Sequence, residues 1–253
     1  MTPPSTPATV PVPSRIPAHR RLRYALLGAS VVLAPLALTA WFATCPTFDA
    51  GCPDQTHTVA VLADFRALSP SLMRLFLWAN VAAPYLYPVS YLALGLLAMK
   101  RAPWLATLGI ILGWAGSIPW GLVADQMFML HALSAVGHDT VAVAAGHNYY
   151  TTGQIGVFLA GWGGHLPAYV LLGLALWRAR AVPRWSAALI VAGVPLMMSA
   201  YFPGSSYLLQ VAGYALEAIG AIPAAAALIR GRPEPAVAPA PDWASSAAMP
   251  SNP

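Results

Sequence analysis

The chain has 253 residues, 58% of them hydrophobic and only 8% charged, with a mean hydropathy of +0.63. A soluble domain carries about 25% charged residues, so the apolar surplus has to face lipid rather than water. The net charge of +5 would suit a nucleic-acid binder, but the basic residues form no patch with interleaved aromatics; they stand in small clusters between apolar runs, as orientation signals do.

Residues 1–23, "MTPPSTPATVPVPSRIPAHRRLR", are rich in proline and polar groups and read as a disordered cytoplasmic tail. Six apolar spans follow, at about 24–44, 72–99, 103–131, 153–177, 185–202 and 205–229. Each approaches the roughly 20 residues needed to cross a hydrocarbon core about 30 Å thick. The first is too long for the apolar region of a cleaved signal peptide and reads as an uncleaved signal-anchor. Residues 233–253 form a second tail of Pro, Ala and Ser. The predicted fold is therefore all-α: one polytopic membrane domain, residues 24–232, built as a bundle of six transmembrane helices.

If six spans alternate, all of the 13 Lys and Arg residues except Arg66 and Arg74 fall on one side. They cluster before span one, at Lys100 and Arg101, at Arg178, Arg180 and Arg184, and after span six. The positive-inside rule makes that side cytoplasmic, with both termini there. The predicted location is a bacterial inner membrane, with the lipid bilayer as partner and no nucleic acid.

The first outer loop holds the only two cysteines, Cys45 and Cys52, in "TCPTFDAGCPD". In an oxidising compartment a disulfide is the natural reading, worth roughly 2–3 kcal/mol for so short a loop. A relay of the thiol-oxidase kind needs a second pair, which this sequence lacks. Val61, Leu62, Phe65 and Leu68 then recur at helical spacing, as in a short interfacial helix. The second outer loop carries His131, His138, Asp139 and His147. The histidines are weak zinc candidates, because their spacings are not those of a helical metal motif. Tyr149 and Tyr150 read as interfacial anchors.

Ionisable groups inside a span mark function by default. His165 in span four and Glu217 in span six both lie about 18 Å below the outer boundary at 1.5 Å per residue. Gly161, His165 and Tyr169 share one helix face, as do Gly213, Glu217 and Gly220, and small residues on a face let a neighbouring helix come close. An imidazole and a carboxylate at one depth suggest a hydrogen-bonded pair, which would lower the cost of burying both. Asn80, Asp125 and Gln210 occupy the outer half and would line an approach from outside. Prolines 35, 84, 88, 119, 167, 195 and 223 put at least one kink-forming residue in every span. Pro167 frees the carbonyl of Gly163, beside His165.

The hairpins "YPVSYLALGLLAMKRAPWLATL" and "LPAYVLLGLALWRARAVPRWSAAL" look loosely alike. The C-terminal part, "WRARAVPRWSAALIVAG" followed by "ALEAIGAIPAAAALIRGRP", resembles a bacterial six-helix integral-membrane family of unknown function. The resemblance rests on Arg180, Pro183, Arg184, Trp185, Glu217, Arg230 and Gly231 and covers about a third of the chain. It implies six helices and a bacterial membrane, and no activity.

Three function classes follow. One is a transporter-like bundle binding a small molecule, an ion or a proton, with Glu217 as acceptor and His165 as partner. A second is a structural or regulatory membrane subunit whose polar pairs hold helices together. The third is a membrane enzyme working at the outer face with Asp125, His131, His138 and His147. No G-x-S-x-G or H-E-x-x-H motif supports catalysis. No cofactor is implied, and a haem on His131 and His165 would need ligands at different depths.

Overall fold

The computed structural model describes residues 17–45, 63, 65–135, 137, 161–202 and 206–230. Six helices of 14 residues or more carry the described chain: α1 Ala18–Ala43, α2 Pro70–Ala98, α3 Pro103–Ala135, α4 Leu166–Ala179, α5 Arg184–Ser199 and α6 Leu208–Ile229. A single π-helical turn, Gly161–His165, runs directly into α4. Among the described residues there is no strand. Residues 153–160 of the fourth predicted span lie outside the described residues, as do 1–16 of the first predicted tail and the whole of the second, 233–253.

Local chemistry accounts for several ends. Pro70 opens α2 at a position where its missing N–H costs nothing, and the Ser69 side chain accepts a bond from the Leu72 nitrogen. Helix α1 starts six residues earlier than the apolar pattern suggests, at Ala18. His-Arg-Arg-Leu-Arg contains no glycine or proline after Pro17, and Arg20, Arg21 and Arg23 are exposed there, so helix continues beyond the apolar stretch. At the other extreme, α4 ends on Arg180, which takes the left-handed conformation at φ 50°. The prolines at 35, 84, 88, 119, 195 and 223 lie inside their helices without ending them.

Each helix packs on its neighbour in sequence, and α1 packs on α6, so the six close into a ring; α2 also reaches across to α4. Successive helices run antiparallel. Gly95 of α2 faces Ile110 of α3, Gly109 of α3 faces Leu172 of α4, and Gly173 of α4 faces Val191 of α5. The start of α1 meets the end of α6 where Gly28 lies on Ala225 and Ile229. One end of the bundle therefore collects Arg20, Arg21, Arg23, Lys100, Arg101, Arg178, Arg180, Arg184 and Arg230; Arg66 and Arg74 lie toward the opposite end. At this basic end the Arg101 guanidinium donates to the Ala179 carbonyl at 3.2 Å, supplying a cation and a donor to the C-terminus of α4.

Polarity is distributed inside out. Leu26, Leu33, Trp78, Tyr85, Trp104, Ile111 and Ile118 are exposed on the outside of the ring, while Asn80, Ser90, His165, Ser186, Gln210 and Glu217 are buried within it. Helices α1, α2 and α6 are each long and apolar enough to cross a membrane; Pro103–Pro119 and α5 are shorter apolar stretches. An apolar exterior around a polar interior is the arrangement expected of a helical membrane protein.

Candidate functional site

The site begins with two close approaches of backbone. Gly164 in the π turn lies against α3: a Cβ there would stand 2.6 Å from the Leu112 carbonyl oxygen and 2.7 Å from the Gly116 Cα. Gly163 beside it faces open space. Single π turns recur at functional sites because the extra residue redirects the side chains around it. Here the turn ends on His165, buried in the ring.

Four tyrosines meet that histidine. Its ring centroid lies 4.6 Å from Tyr87, 5.9 Å from Tyr91, 5.5 Å from Tyr169 and 6.4 Å from Tyr214. Nδ1 shares a hydrogen bond with the Tyr91 hydroxyl. Tyr87, Tyr91 and Tyr169 stand 5.6 Å from one another in tilted and edge-on arrangements, the geometry in which ring edges meet ring faces. Ser90 Oγ comes within 3.4 Å of the Tyr169 hydroxyl. The cluster draws on α2, the π turn, α4 and α6, which is why α2 reaches across the ring.

Glu217 belongs to the same cluster, within electrostatic reach of Tyr87, Tyr91, Tyr169 and Tyr214. Its stem is pressed on α5, where a Cβ on Gly193 would come within 2.6 Å of the Glu217 Cγ and of the Gly213 carbonyl oxygen. The predicted hydrogen bond between His165 and Glu217 is not made: neither carboxylate oxygen has a hydrogen-bond partner. The Glu217 stem packs on Gly193 of α5, and the imidazole engages the Tyr91 hydroxyl instead.

The other sequence candidates divide. Gln210 is buried one face-repeat above Glu217 on α6; its Nε2 donates to the Tyr201 hydroxyl at 2.8 Å, and its Oε1 has no partner. Asn80 is buried on α2, with Nδ2 unpartnered. A buried polar atom left unpaired costs about 1–3 kcal/mol. Asp125 falls within α3. His131 packs its ring 6.5 Å from Phe65 toward the opposite end, while His138 and His147 lie outside the described residues. Among the described residues no three His, Cys, Asp or Glu side chains converge as a metal site would require. Cys45 is buried just after α1, and Cys52 lies outside the described residues.

Sequence reasoning missed Tyr87, Tyr91, Tyr214 and Trp41. A signal was present: Asn80, Tyr87 and Tyr91 share one face of α2 at spacings of seven and four. Membrane tyrosines ordinarily gather at the interfaces, so two of them deep in a span point inward. No family model matches the chain, and no curated protein or solved structure matches it either.

Proposed function

We propose that this chain is a multi-pass bacterial inner-membrane protein of six spans that works as a transporter-like bundle, binding a small molecule, an ion or a proton at Glu217. In this reading the basic end and both termini are cytoplasmic, as the positive-inside rule requires. Cys45 and Cys52 close the first outer loop as a disulfide; no described cysteine is a free thiol. The C-terminal resemblance to a six-helix membrane family belongs to the same proposal.

One observation carries it. Glu217 is fully buried, and both of its carboxylate oxygens lack a hydrogen-bond donor. A carboxylate in a dry interior is costly unless something neutralises it, so a bound proton, cation or donor group belongs there. The tyrosines and His165 supply polarisable faces and hydroxyls around that point, near the level where transporters hold their substrates.

The test is a pH gradient imposed across proteoliposomes that hold a pH-sensitive dye. Wild-type protein is expected to collapse the gradient faster than empty liposomes or to do so when a co-substrate ion is added, and Glu217→Gln to fall back to the empty-liposome rate. Folded Glu217→Gln protein with wild-type flux would leave the carboxylate a packing residue and favour the structural-subunit reading.

A further inference from the structure

We infer that the group bound at Glu217 is a proton, and that it arrives through a water-lined path between α1, α2 and α6, open toward the end opposite the basic connections and closed toward the basic end. This rests on the reading that Glu217 is the binding group.

Unpartnered buried polar atoms mark the path. They are Trp41 Nε1 on α1, Asn80 Nδ2 on α2, and Gln210 Oε1 with both Glu217 oxygens on α6. All three helices touch one another. Trp41 lies in the last turn of α1 with its ring 6.3 Å from Phe76 of α2, one turn before Asn80. Phe42 beside it stacks on Tyr214 of α6 at 5.3 Å. Gln210 precedes Glu217 by seven residues, two turns or about 10 Å along the same face. The polar atoms thus descend from the end bearing Tyr201 and Tyr207 to Glu217.

Their chemistry names what joins them. Trp41 and Asn80 offer N–H donors, whereas Gln210 and Glu217 offer acceptors. Water can serve both, since buried water takes two to four bonds from such groups. A metal cation suits the oxygens and is repelled by the N–H groups. A larger organic ligand has no place among rings whose centroids stand 4.6–5.6 Å apart.

Beyond Glu217 the path stops. The buried face of α6 continues as Ala218, Gly220, Ala221, Ala224, Ala225 and Leu228, all without polar side chains. Ser186 Oγ, the polar group on α5 at this level, is already bonded to the Gly220 carbonyl at 2.5 Å. Gly28 of α1 seals against Ala225 and Ile229. The titratable groups within electrostatic reach of Glu217 are Tyr87 and Tyr91 from α2, Tyr169 from α4 and Tyr214 from α6, with His165 beyond Tyr214; α5 meets it with Gly193. Binding balances simply: a hydronium in the path gives its proton to a Glu217 oxygen and remains as water.

The path is tested on unaltered protein in nanodiscs by radiolytic hydroxyl-radical footprinting, which marks side chains next to bound water. After correction for intrinsic reactivity, Trp41 and Tyr214, 4% and 3% exposed, are expected to react several-fold faster than the fully buried Leu94, Leu172 and Leu176, more than so small a difference in exposure gives. Equal protection overturns the path. The proton is tested by the infrared band of a buried carboxyl after a pH jump. That band is expected to vanish in Glu217→Gln, and in Gln210→Leu to change several-fold more slowly with the same final amplitude. A band that persists in Glu217→Gln overturns the proton and the reading beneath it; a Glu217 band that responds to sodium at fixed pH overturns the proton alone and leaves Glu217 an ion-binding group, and the footprint decides the path in either case. An unchanged rate in folded Gln210→Leu overturns the route through Gln210.

Discussion

Gly116 of α3 and Gly164 of the π turn lie backbone against backbone, with the place of a Gly164 Cβ 2.7 Å from the Gly116 nitrogen and Cα. No flexible side chain is there to yield, so any methyl group forces the two segments apart. Gly116→Ala is expected to lower stability by at least about 1–3 kcal/mol, the cost of overpacking. Thermal unfolding in detergent checks it. Gly163→Ala, one residue away and facing open space, serves as the control and should leave the midpoint nearly unchanged.

Helices α5 and α6 cross on a second seam of this kind, where a Cβ on Gly213 would stand 2.6 Å from the Gly193 carbonyl oxygen and 2.9 Å from the Met197 nitrogen. Gly213→Ala is expected to destabilise by about 1–3 kcal/mol. Further along the seam, Ser186→Ala removes only the bond to the Gly220 carbonyl and should cost about 1 kcal/mol. Chemical denaturation of the two variants side by side would show the larger effect at the glycine; the reverse order would mean the hydrogen bond, not the close approach, holds the seam.

Tyr91→Phe keeps the ring and deletes the hydroxyl that His165 Nδ1 engages. Loss of a buried partner of that sort is expected to cost about 1–3 kcal/mol. Tyr85→Phe on the same helix, 75% exposed, should be silent. Midpoints of thermal unfolding compared between these two substitutions isolate the hydrogen bond from general loss of hydroxyl groups.

For the proposed first-loop bridge, intact protein is expected to resist thiol alkylation until reduced, and then to take two labels by mass. Reduction should lower stability by roughly 2–3 kcal/mol, the loop-closure contribution of so short a ring. Alkylation of both Cys45 and Cys52 without reductant would remove the bridge from the account.

Arg180 ends α4 in a conformation that suits glycine, and a side chain there costs roughly 1–2 kcal/mol. Arg180→Gly is expected to raise the unfolding midpoint slightly, glycine's greater freedom in the unfolded chain offsetting part of the gain. A lowered midpoint would show that the guanidinium itself holds the connection.

Apolar run length carries the helical class, because a span has to satisfy its own backbone in lipid and so declares itself in composition. The buried positions of His165, Glu217, Asn80 and Gln210 were legible for the same reason: each is an expensive residue in an apolar run. Equal depth could not tell which neighbours those residues meet. Depth is a coordinate along the helix, whereas contact depends on the order of helices around the ring, and α5 lies between the two helices that carry His165 and Glu217. The tyrosines escaped notice because a hydroxylated ring is inexpensive enough to sit in many places, and only its partners give it meaning. Gly116 and Gly193 were likewise invisible, since a glycine declares a close approach only when the opposing backbone is known.

The contact between α1 and α6 has a consequence for assembly. Of the six described helices, α1 leaves the ribosome first and has α6, made after the other five, as its partner, through Gly28 against Ile229 and Phe42 against Tyr214. The ring therefore cannot close until α6 has been made; α1 waits with that flank uncovered, and nascent chains halted after α5 should be recognised as unfinished by quality-control proteases.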